Sequence, residues 1–214
     1  MKNSEKTGKC TSEHCTEICR ISDDRTYLLP LLSRLEKMLR EGCVTLAIDG
    51  PCGSGKTTLA RVLSELYDCN VYHIDDFFLQ GHQRTKERLS EVGGNFDRER
   101  FLSEVLLPHS KGEEVKYQKY DCSSGRLSDE ITVKQKRLTV IEGSYSMHSE
   151  LSPYYNLSVF MDISPEVQSE RILKRNSPEM ARNFFEKWIP MENEYFRVMR
   201  IKERCDIVIN TEQK

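Results

Sequence analysis

The sequence predicts an α/β domain in which a parallel sheet is layered with helices. Short apolar runs rich in β-branched residues alternate along the chain with segments of helical periodicity, which is the pattern of a layered α/β domain. Residues 44–76 indicate a strand, a glycine-rich loop, a helix and a second strand, the order of a parallel crossover unit. The chain has 214 residues, enough for one domain with a buried core.

The first predicted element is a helix that follows a polar segment. Apolar side chains recur at helical spacing from Leu28 to Leu39, and we expect the helix to start near Thr26 and to end at residues 41–42. Pro30 fits because the first turn of a helix does not need the N–H group that proline lacks. We therefore divide the chain into a polar tail at residues 1–24 and a domain at residues 25–214.

Most later elements are predicted from capping residues, prolines and apolar runs. We expect Asp97 to cap a helix that Pro108 closes, and Ser164 to precede a charged helix through residue 175. Residues 178–201 predict a long helix bent near Pro190. The remaining predicted segments are a helix at residues 56–66, two short extended pieces after residue 112, and strands at residues 44–49, 70–74, 138–143, 157–162 and 205–209.

Composition and charge indicate a small-molecule partner. The formal net charge is -2, so no excess of basic residues points to nucleic acid or to an anionic membrane. No stretch approaches the ~20 apolar residues of a membrane helix, and the first ten residues are polar. We therefore expect a cytoplasmic protein, and a homo-oligomer is compatible with the sequence.

The cysteines predict thiols rather than disulfides. The eight cysteines are scattered over predicted strands, helices and the glycine-rich loop, in a chain without an export signal. One cluster, Cys10, His14, Cys15 and Cys19, has ligand types that suit zinc, but its spacing matches none of the common zinc sites. A polar tail without bound metal is the alternative for this cluster.

The clearest motif is Gly50-Pro51-Cys52-Gly53-Ser54-Gly55-Lys56-Thr57, which has the spacing of a phosphate-binding loop. It lies between a predicted strand and a predicted helix, where backbone N–H groups can surround phosphate oxygens. We expect Lys56 to neutralise the β and γ phosphates and the Thr57 hydroxyl to coordinate Mg²⁺. A plain glycine-rich turn is the alternative. The residues predicted to bind the nucleotide are Gly50, Cys52, Gly53, Ser54, Gly55, Lys56, Thr57 and Thr58.

Carboxylates at the ends of two predicted strands are the second indication of a binding site. Ligands of open α/β sheets bind at the carboxyl ends of the strands. Asp75, at the end of the strand 70–74, is therefore the candidate base for an acceptor hydroxyl or a neighbour of Mg²⁺. Glu142 is the candidate for a second carboxylate that directs Mg²⁺. Solvated turn residues, helix caps or a solvent-facing strand end are the alternatives.

Basic residues on one predicted helix face are the third indication of a binding site. Arg171, Lys174 and Arg175 have i, i+3, i+4 spacing, so they share a face that could close over bound phosphates, with Arg182 nearby. An ordinary exposed charged face is the alternative. We assign Arg171 and Arg175 to nucleotide binding, and Arg175 also to catalysis together with Lys56 and Asp75.

Taken in order, these motifs resemble the uridine kinase-like branch of the P-loop kinases, which also contains phosphoribulokinase, bacterial pantothenate kinase and nicotinamide riboside kinase. The likeness spans residues 44–209. Besides the phosphate loop, it rests on Asp75-Asp76-Phe77-Phe78, Asn95-Phe96-Asp97, Tyr120-Asp121 and Ile141-Glu142-Gly143. The resemblance implies the P-loop NTPase fold: a doubly wound five-stranded parallel sheet with helices on both faces and a small lid.

The resemblance also implies the activity. It implies transfer of the γ-phosphoryl group of ATP, with Mg²⁺ bound at Thr57, Asp75 and Glu142, to a hydroxyl of a small molecule, with a nucleoside as the favoured acceptor. It implies that Asp97 holds sugar hydroxyls and that Tyr120 and Arg126 line the acceptor pocket. The full set of residues that we assign to the acceptor on this basis is Asp75, Phe77, Phe96, Asp97, Tyr120, Arg126 and Arg182.

Other functions remain as alternatives. Residues 120–126 lack the histidine that uridine kinases of this family carry, so a sugar, a sugar phosphate or a vitamin precursor is the alternative acceptor. A GTP-dependent switch requires an Asn-Lys-x-Asp element, which the sequence does not contain. A relative that binds nucleotide without transfer is disfavoured because Lys56, Asp75 and Glu142 occur together.

Overall fold

A parallel sheet forms the centre of the computed structural model, which describes residues 23–212. The strands are β1 (Val44–Asp49), β2 (Cys69–His73), β3 (Val115–Tyr117), β4 (Tyr120–Asp121), β5 (Arg126–Leu127), β6 (Ile131–Val133), β7 (Leu138–Glu142), β8 (Leu157–Asp162) and β9 (Ile207–Asn210). Five of them form the sheet in the order β2-β7-β1-β8-β9, and every neighbouring pair is parallel. The predicted fold class, a five-stranded parallel α/β sheet, is confirmed.

Helices connect the strands. The α-helices are α1 (Leu29–Glu41), α2 (Lys56–Leu66), α3 (Lys86–Ser90), α4 (Arg98–Phe101), α5 (Leu107–Ser110), α6 (Pro165–Arg175), α7 (Pro178–Asn183), α8 (Ile189–Met199) and α9 (Ile201–Arg204). Two π-helical stretches, Leu102–Leu106 and Phe184–Trp188, join α4 to α5 and α7 to α8. The two short antiparallel pairs β3-β6 and β4-β5 lie outside the main sheet.

The sheet is buried on both faces. Leu46 and Ile48 of β1 pack in one apolar cluster with residues of α1 and α2. Ala47, between them in the chain, packs in a second cluster that contains Ile74 and Phe77. Because alternate residues of a strand point to opposite faces, this arrangement explains why all six residues of β1 are buried.

The register of the strands brings the predicted site residues to one edge. Ile48 of β1 and His73 of β2 both pair with Glu142, the last residue of β7. The phosphate loop follows β1 directly, and Asp75 lies two residues after β2. The carboxyl ends of three adjacent strands therefore hold the loop and both predicted carboxylates.

Several helix boundaries match the predictions. Asp97 Oδ1 accepts a hydrogen bond from Arg100 N and so caps α4, and Ser164 caps α6 through Val167 N. Pro30 lies in the first turn of α1, which begins at Leu29 after a 3₁₀ turn, Asp23–Leu28. The helix therefore starts about three residues later than predicted.

The long helix predicted at residues 178–201 is present as far as Met199, with an irregular turn before Pro190. The chain forms α7, the π-helical stretch Phe184–Trp188 and α8 in succession, and α8 ends where Arg200 takes a φ of 51°. Pro190 lies at the start of α8. Because proline has no backbone N–H, it cannot donate the helical hydrogen bond to the carbonyl one turn before it. The irregularity that the proline predicts thus precedes it, as a widened turn at residues 184–188.

Two further findings concern the chain as a whole. Within residues 23–212, every helix is too short or too polar to cross a membrane. The predicted polar tail and its cluster of Cys10, His14, Cys15 and Cys19 lie outside the described residues, apart from the start of the 3₁₀ turn. The described cysteines, Cys43, Cys52, Cys69, Cys122 and Cys205, are free thiols.

Candidate active site

The predicted phosphate loop curls at the N-terminus of α2. Gly53 and Gly55 have φ values of 82° and 96°, backbone conformations that residues with a side chain rarely adopt. A Cβ atom at Gly50 would overlap the backbone carbonyl of Met161 in β8. Glycine therefore lets the loop lie against the sheet and lead into the N-terminus of α2, the kind of position at which proteins bind anions.

The Lys56 ammonium group is held against the loop. Its Nζ donates to Gly50 O at 2.7 Å and to Pro51 O at 3.0 Å, and it lies 3.3 Å from Ser144 Oγ. The side chain is buried and lines the same cavity as the loop. A positive charge is thus fixed where phosphates of a nucleotide would lie.

Oxygen atoms that could bind a magnesium ion lie beside this lysine. Thr57 Oγ1 donates to Glu142 Oε1 and Oε2 at 3.2 and 3.3 Å. His73 Nδ1 lies 2.5 Å from Glu142 Oε1, and this hydrogen bond raises the pKa of His73. A hydroxyl and a carboxylate are oxygen ligands that suit Mg²⁺. The described residues contain no group of three or more His, Cys, Asp or Glu that could hold a metal, so a bound Mg²⁺ would take its other ligands from phosphate and water.

Asp75 faces the cavity. It follows β2 in the 3₁₀ turn Ile74–Phe77, and its side chain is exposed to the cavity that it lines. The pKa of Asp75 is nevertheless raised, chiefly because the surrounding protein displaces water; Lys56 opposes this effect, whereas Glu142 and Glu192 add to it. A carboxylate of increased basicity therefore lies beside the phosphate loop.

Asp76 points away from the cavity. Its carboxylate forms an ion pair with Lys119 at 2.9 Å, and its backbone carbonyl accepts a hydrogen bond from Arg100. Two adjacent aspartates thus have different surroundings. Only Asp75 of the pair lies among the described residues that line the cavity.

Glu192 is a site residue that the sequence analysis missed. This carboxylate of α8 is buried; Oε2 accepts a hydrogen bond from Cys52 N at 2.8 Å, and Oε1 accepts one from Ser144 Oγ at 2.7 Å. It thereby joins α8 to the phosphate loop. The sequence does contain a feature that indicates a partner for Glu192. This residue lies between Ile189 and Tyr195 on the apolar face of the helix, where an unpaired charge is unfavourable.

Asp49, also missed, ties the end of β1 to two other segments. It is fully buried and accepts hydrogen bonds from Gly50 N at 2.7 Å, Met147 N at 2.8 Å and Tyr195 Oη at 2.8 Å. Burial raises its pKa to about 6, although these three donors favour the ionised form. Through the hydrogen bond from Gly50 N, this carboxylate holds the first residue of the loop in place.

Cys52 of the loop is an inert thiol. Gln168 of α6 donates to its carbonyl at 2.9 Å and to its sulfur at 3.3 Å. Burial raises the pKa of Cys52 to about 12, so the thiolate that reacts with oxidants and electrophiles does not form at neutral pH. The residue packs the loop against α6.

Two of the predicted lid arginines reach the cavity. Arg171 donates to Gly53 O at 3.1 Å and to Thr211 O at 3.0 Å, joining α6 to the loop and to the chain after β9. The Arg175 guanidinium lies over the Phe184 ring, 5.4 Å from its centre. Arg182 is exposed on α7 and lies outside the described lining.

A cavity of about 690 Å³ unites these groups. Its lining includes residues 52–58, Asp75, Glu142, Arg171 and Arg175, which are most of the residues that we predicted for nucleotide, metal and catalysis. Volumes of 300–1,000 Å³ are usual for sites that hold small ligands. The structure therefore brings the predicted donor half of the site together.

The predicted aromatic contacts to an acceptor need correction. Phe77 and Phe96 are both 0 % exposed and lie in the apolar core, so neither ring reaches the cavity. Their neighbours Phe78 and Asn95 line it instead. Phe78 and Phe96 form an antiparallel bridge between the two segments, and the rings of Phe77 and Phe96 pack together in the core.

The other residues predicted for the acceptor lie outside the described lining of the cavity. Asp97 is buried as the cap of α4 and accepts a second hydrogen bond from Gln83 Nε2 at 2.7 Å. Tyr120 is buried in β4, and Arg126 is exposed on its partner strand β5. Their roles toward an acceptor stay predictions.

Comparison with known proteins finds a kinase among the proteins of similar sequence. A cytidylate kinase of Mycoplasmopsis pulmonis (strain UAB CTIP) is 27% identical over 165 residues, which is 67% of this chain and 74% of that protein.

Two solved structures share the fold. A possible uridine kinase from Bacillus stearothermophilus superposes with a TM-score of 0.61 at 20% identity, over 84% of this chain and 99% of that one. A proposed fructose transport system kinase from Silicibacter sp. TM1040 superposes with a TM-score of 0.58 at 18% identity, over 91% of this chain and 96% of that one.

The decisive comparison is with a family model. The model of the phosphoribulokinase / uridine kinase family matches residues 45–209, which run from β1 to β9 and include the loop, Asp75, Glu142 and Glu192. This range is more than half of the chain. The chain belongs to the phosphoribulokinase / uridine kinase family.

Proposed function

We propose that the protein transfers the γ-phosphoryl group of ATP to a hydroxyl of a small molecule, with a nucleoside as the favoured acceptor. The observation that carries the proposal is the convergence of Lys56, the Thr57–Glu142 pair and Asp75 on one cavity. The loop would supply a phosphate site, and Asp75 supplies a carboxylate that lines the same cavity. Together they provide the two halves of a phosphoryl transfer site.

The donor half is formed by the phosphate loop and the arginines of α6. N–H groups of the loop and the Lys56 ammonium would hold the β and γ phosphates, and Arg171 and Arg175 would lie over them. Thr57 and Glu142 would hold Mg²⁺, with Asp75 nearby. When bound, this ion neutralises negative charge on the phosphoryl oxygens.

The acceptor half depends on Asp75. Its carboxylate takes the proton of the acceptor hydroxyl while the oxygen forms a bond to the γ phosphorus. The bond from that phosphorus to the bridging oxygen breaks, and ADP leaves with the electron pair. The raised pKa of Asp75 supports this role, because a more basic carboxylate is a better proton acceptor as long as it is ionised at the working pH.

A non-nucleoside acceptor is the second candidate. The observation that favours it is the position of Tyr120 and Arg126, which lie outside the described lining of the cavity. The relatives carry names that point to uridine, to cytidylate and to a fructose transport system, so nucleosides, nucleotides and hexoses all belong in a test. Each offers a hydroxyl for the same chemistry.

The proposal is tested by ADP release. Purified protein is incubated with ATP, Mg²⁺ and a panel of nucleosides, nucleotides and sugars, and we expect at least one acceptor to raise ADP release well above the rate without acceptor. Lys56→Ala should lower this stimulated rate at least about a hundredfold. Lys37→Ala, a change at an exposed position of α1, is the matched control and should leave it unchanged. Equal rates with and without every acceptor, or full activity of Lys56→Ala, would contradict the proposal.

A further inference from the structure

The cavity follows the carboxyl edge of the sheet, where the strand order is β2-β7-β1-β8-β9. Asp75 follows β2 and Glu142 ends β7, so the candidate base and the candidate metal ligand lie on one side of the phosphate loop. Met161 of β8 and Thr211, which follows β9, line the cavity on the other side of the loop. The cavity therefore extends past the loop toward β8 and β9.

The direction of a bound nucleotide follows from this order. For transfer, the γ phosphorus must lie beside Asp75 and the metal beside Glu142. The phosphate loop comes next along the edge of the sheet, so it faces the remaining phosphates. Because the ribose and the base are attached at the α phosphate, they extend beyond the loop toward β8 and β9.

The turn before α1 reaches this side of the cavity. Arg25, Tyr27 and Leu28 of the turn are among the lining residues. Leu28 is 2% exposed and packs in one apolar cluster with Met161 of β8 and Ile209 of β9. The turn is therefore fixed against the β8–β9 part of the sheet. It precedes the range that the family model matches, so membership of the family assigns it no role.

The side chains of this turn suit an aromatic base. Tyr27 is partly buried, packs against the same apolar cluster and lines the cavity, and aromatic rings stack on the flat faces of nucleobases. Arg25 is also partly buried, and within residues 23–212 its guanidinium has neither an ion-pair nor a hydrogen-bond partner. Guanidinium N–H groups are donors for the oxygen and nitrogen acceptors of a base or a ribose.

Arg171, which lines the same side, is bonded within the protein. Its guanidinium donates to Gly53 O at 3.1 Å and to Thr211 O at 3.0 Å. These bonds join α6 to the phosphate loop and to the chain after β9. Arg25 differs from Arg171 because its donors are free for a ligand.

Apolar side chains complete this part of the lining. Val62 of α2 and Met161 are buried in the cluster that holds Leu28, and both line the cavity. Thr58 of α2 adds an exposed hydroxyl. Apolar side chains combined with a few polar groups are usual for sites that bind small organic ligands.

We propose that Arg25 and Tyr27 form the part of the donor site that binds the base and ribose of the nucleoside triphosphate. The Tyr27 ring lies against the face of the base, and Arg25 donates to an oxygen or nitrogen atom of the base or the ribose. This inference rests on the proposed kinase function, because that function sets the direction in which the triphosphate lies. It gives the turn before the matched range a role in donor binding.

Calorimetry of ATP binding with Mg²⁺ and the full-length chain tests both side chains. Tyr27→Leu keeps an apolar side chain against the core but removes the ring, and it should raise the Kd for ATP at least about fivefold. Tyr27→Phe keeps the ring and should bind ATP like the wild type. Arg25→Ala should raise the Kd at least about threefold. Thr26→Ala, at an exposed position of the same turn outside the described lining, is the matched control.

Inorganic tripolyphosphate separates contact with the base from contact with the phosphates. It carries three phosphates but neither base nor ribose, so Tyr27→Leu and Arg25→Ala should change its Kd less than about twofold. Equal weakening of ATP and tripolyphosphate would overturn the assignment to the base.

Photolabelling locates the base without relying on affinities. Wild-type protein is illuminated with 8-azidoadenosine triphosphate and Mg²⁺ and digested with trypsin, and mass spectrometry identifies the labelled peptide. We expect label on the peptide 26–34, which contains Tyr27, and we expect excess ATP to suppress it. Label confined to other peptides would overturn the inference.

The outcomes separate the two proposals. An unchanged Kd for ATP in Tyr27→Leu and Arg25→Ala would overturn this inference alone, provided that an acceptor still stimulates ADP release by the wild type. If the wild type binds no ATP, the proposed function fails, and this inference fails with it.

Discussion

Two adjacent aspartates illustrate, at the scale of single residues, how position decides the surroundings of a side chain. Asp75 lines the cavity with a raised pKa, whereas Asp76 is paired with Lys119 at 2.9 Å. The sequence favoured Asp75 because it comes first after the strand, and the structure places it beside Lys56. The pairing of Asp76 could not be predicted, because Lys119 approaches it from a distant part of the chain.

The first prediction compares these two carboxylates. Asp75→Asn removes the candidate base without changing the size of the side chain, so kcat should fall at least about a hundredfold while ATP affinity stays near normal. Asp76→Asn is the matched control and should retain most of the activity. Steady-state kinetics and calorimetric ATP binding provide the measurement. Comparable losses in both variants would count against the assignment.

The second prediction concerns the buried carboxylate of Asp49. Its pKa is about 6 in the folded protein against an ordinary value of 3.8. The stability that this raised pKa contributes is present below about pH 4 and is lost as the pH rises through 6, because the unfolded chain ionises first. The free energy of unfolding of the wild type relative to Asp49→Asn should therefore fall by about 2 kcal/mol between pH 4 and pH 7. Denaturant titration measures it, and a difference that stays constant with pH would refute the assignment.

Single residues also mark where sequence reasoning stops. The loop pattern was sufficient to predict that Lys56 and Thr57 lie together at one site, and both line the cavity. The choice between Phe77 and Phe78 depends on which of the two side chains packs in the core, and the backbone at this point is bridged to residue 96. Such a contact between separate segments has no local signature.

At the scale of elements, α8 supports the phosphate loop through one side chain. Glu192 accepts hydrogen bonds from Cys52 N and Ser144 Oγ, so the loop depends on a helix about 140 residues further along the chain. The sequence predicted a long helix here that is bent near Pro190. It did not predict the contact, because nothing in a helical pattern specifies which loop its buried face will meet.

The third prediction tests this contact. Glu192→Ala leaves the Cys52 N–H and the Ser144 hydroxyl without their buried partner, and it should lower the free energy of unfolding by about 1–3 kcal/mol. Glu194→Ala, at an exposed position of the same helix, should change it far less. Equal effects of both changes in denaturant titrations would rule out a specific support by Glu192.

The fourth prediction separates two roles of Asp97, which caps α4 and which we also assigned to acceptor binding. Asp97→Ala should cost about 1 kcal/mol of stability through loss of the cap, whereas Asp97→Asn keeps a capping oxygen and should cost less. Acceptor KM in the stable Asn variant then reports on binding alone. An unchanged acceptor KM would reduce Asp97 to a structural role.

At the scale of the whole molecule, the strand order brings motifs that are far apart in the sequence to one edge of the sheet. The phosphate loop, Asp75 and Glu142 are up to about 90 residues apart, yet β1, β2 and β7 place them at one sheet edge. The ordered motifs predicted the family, and the family model confirms it over residues 45–209. The rest of the cavity was less predictable, because Phe78, Asn95 and Glu192 come to line it only through the packing of separate segments.

The central claim is that this cavity transfers phosphoryl groups rather than hydrolysing ATP. Phosphorus NMR of a reaction with ATP, Mg²⁺ and the most stimulating acceptor distinguishes the two directly. We predict a new phosphate monoester signal that grows in step with ADP and that Asp75→Asn suppresses. Accumulation of inorganic phosphate in place of the ester, at the same rate with and without the acceptor, would contradict the account.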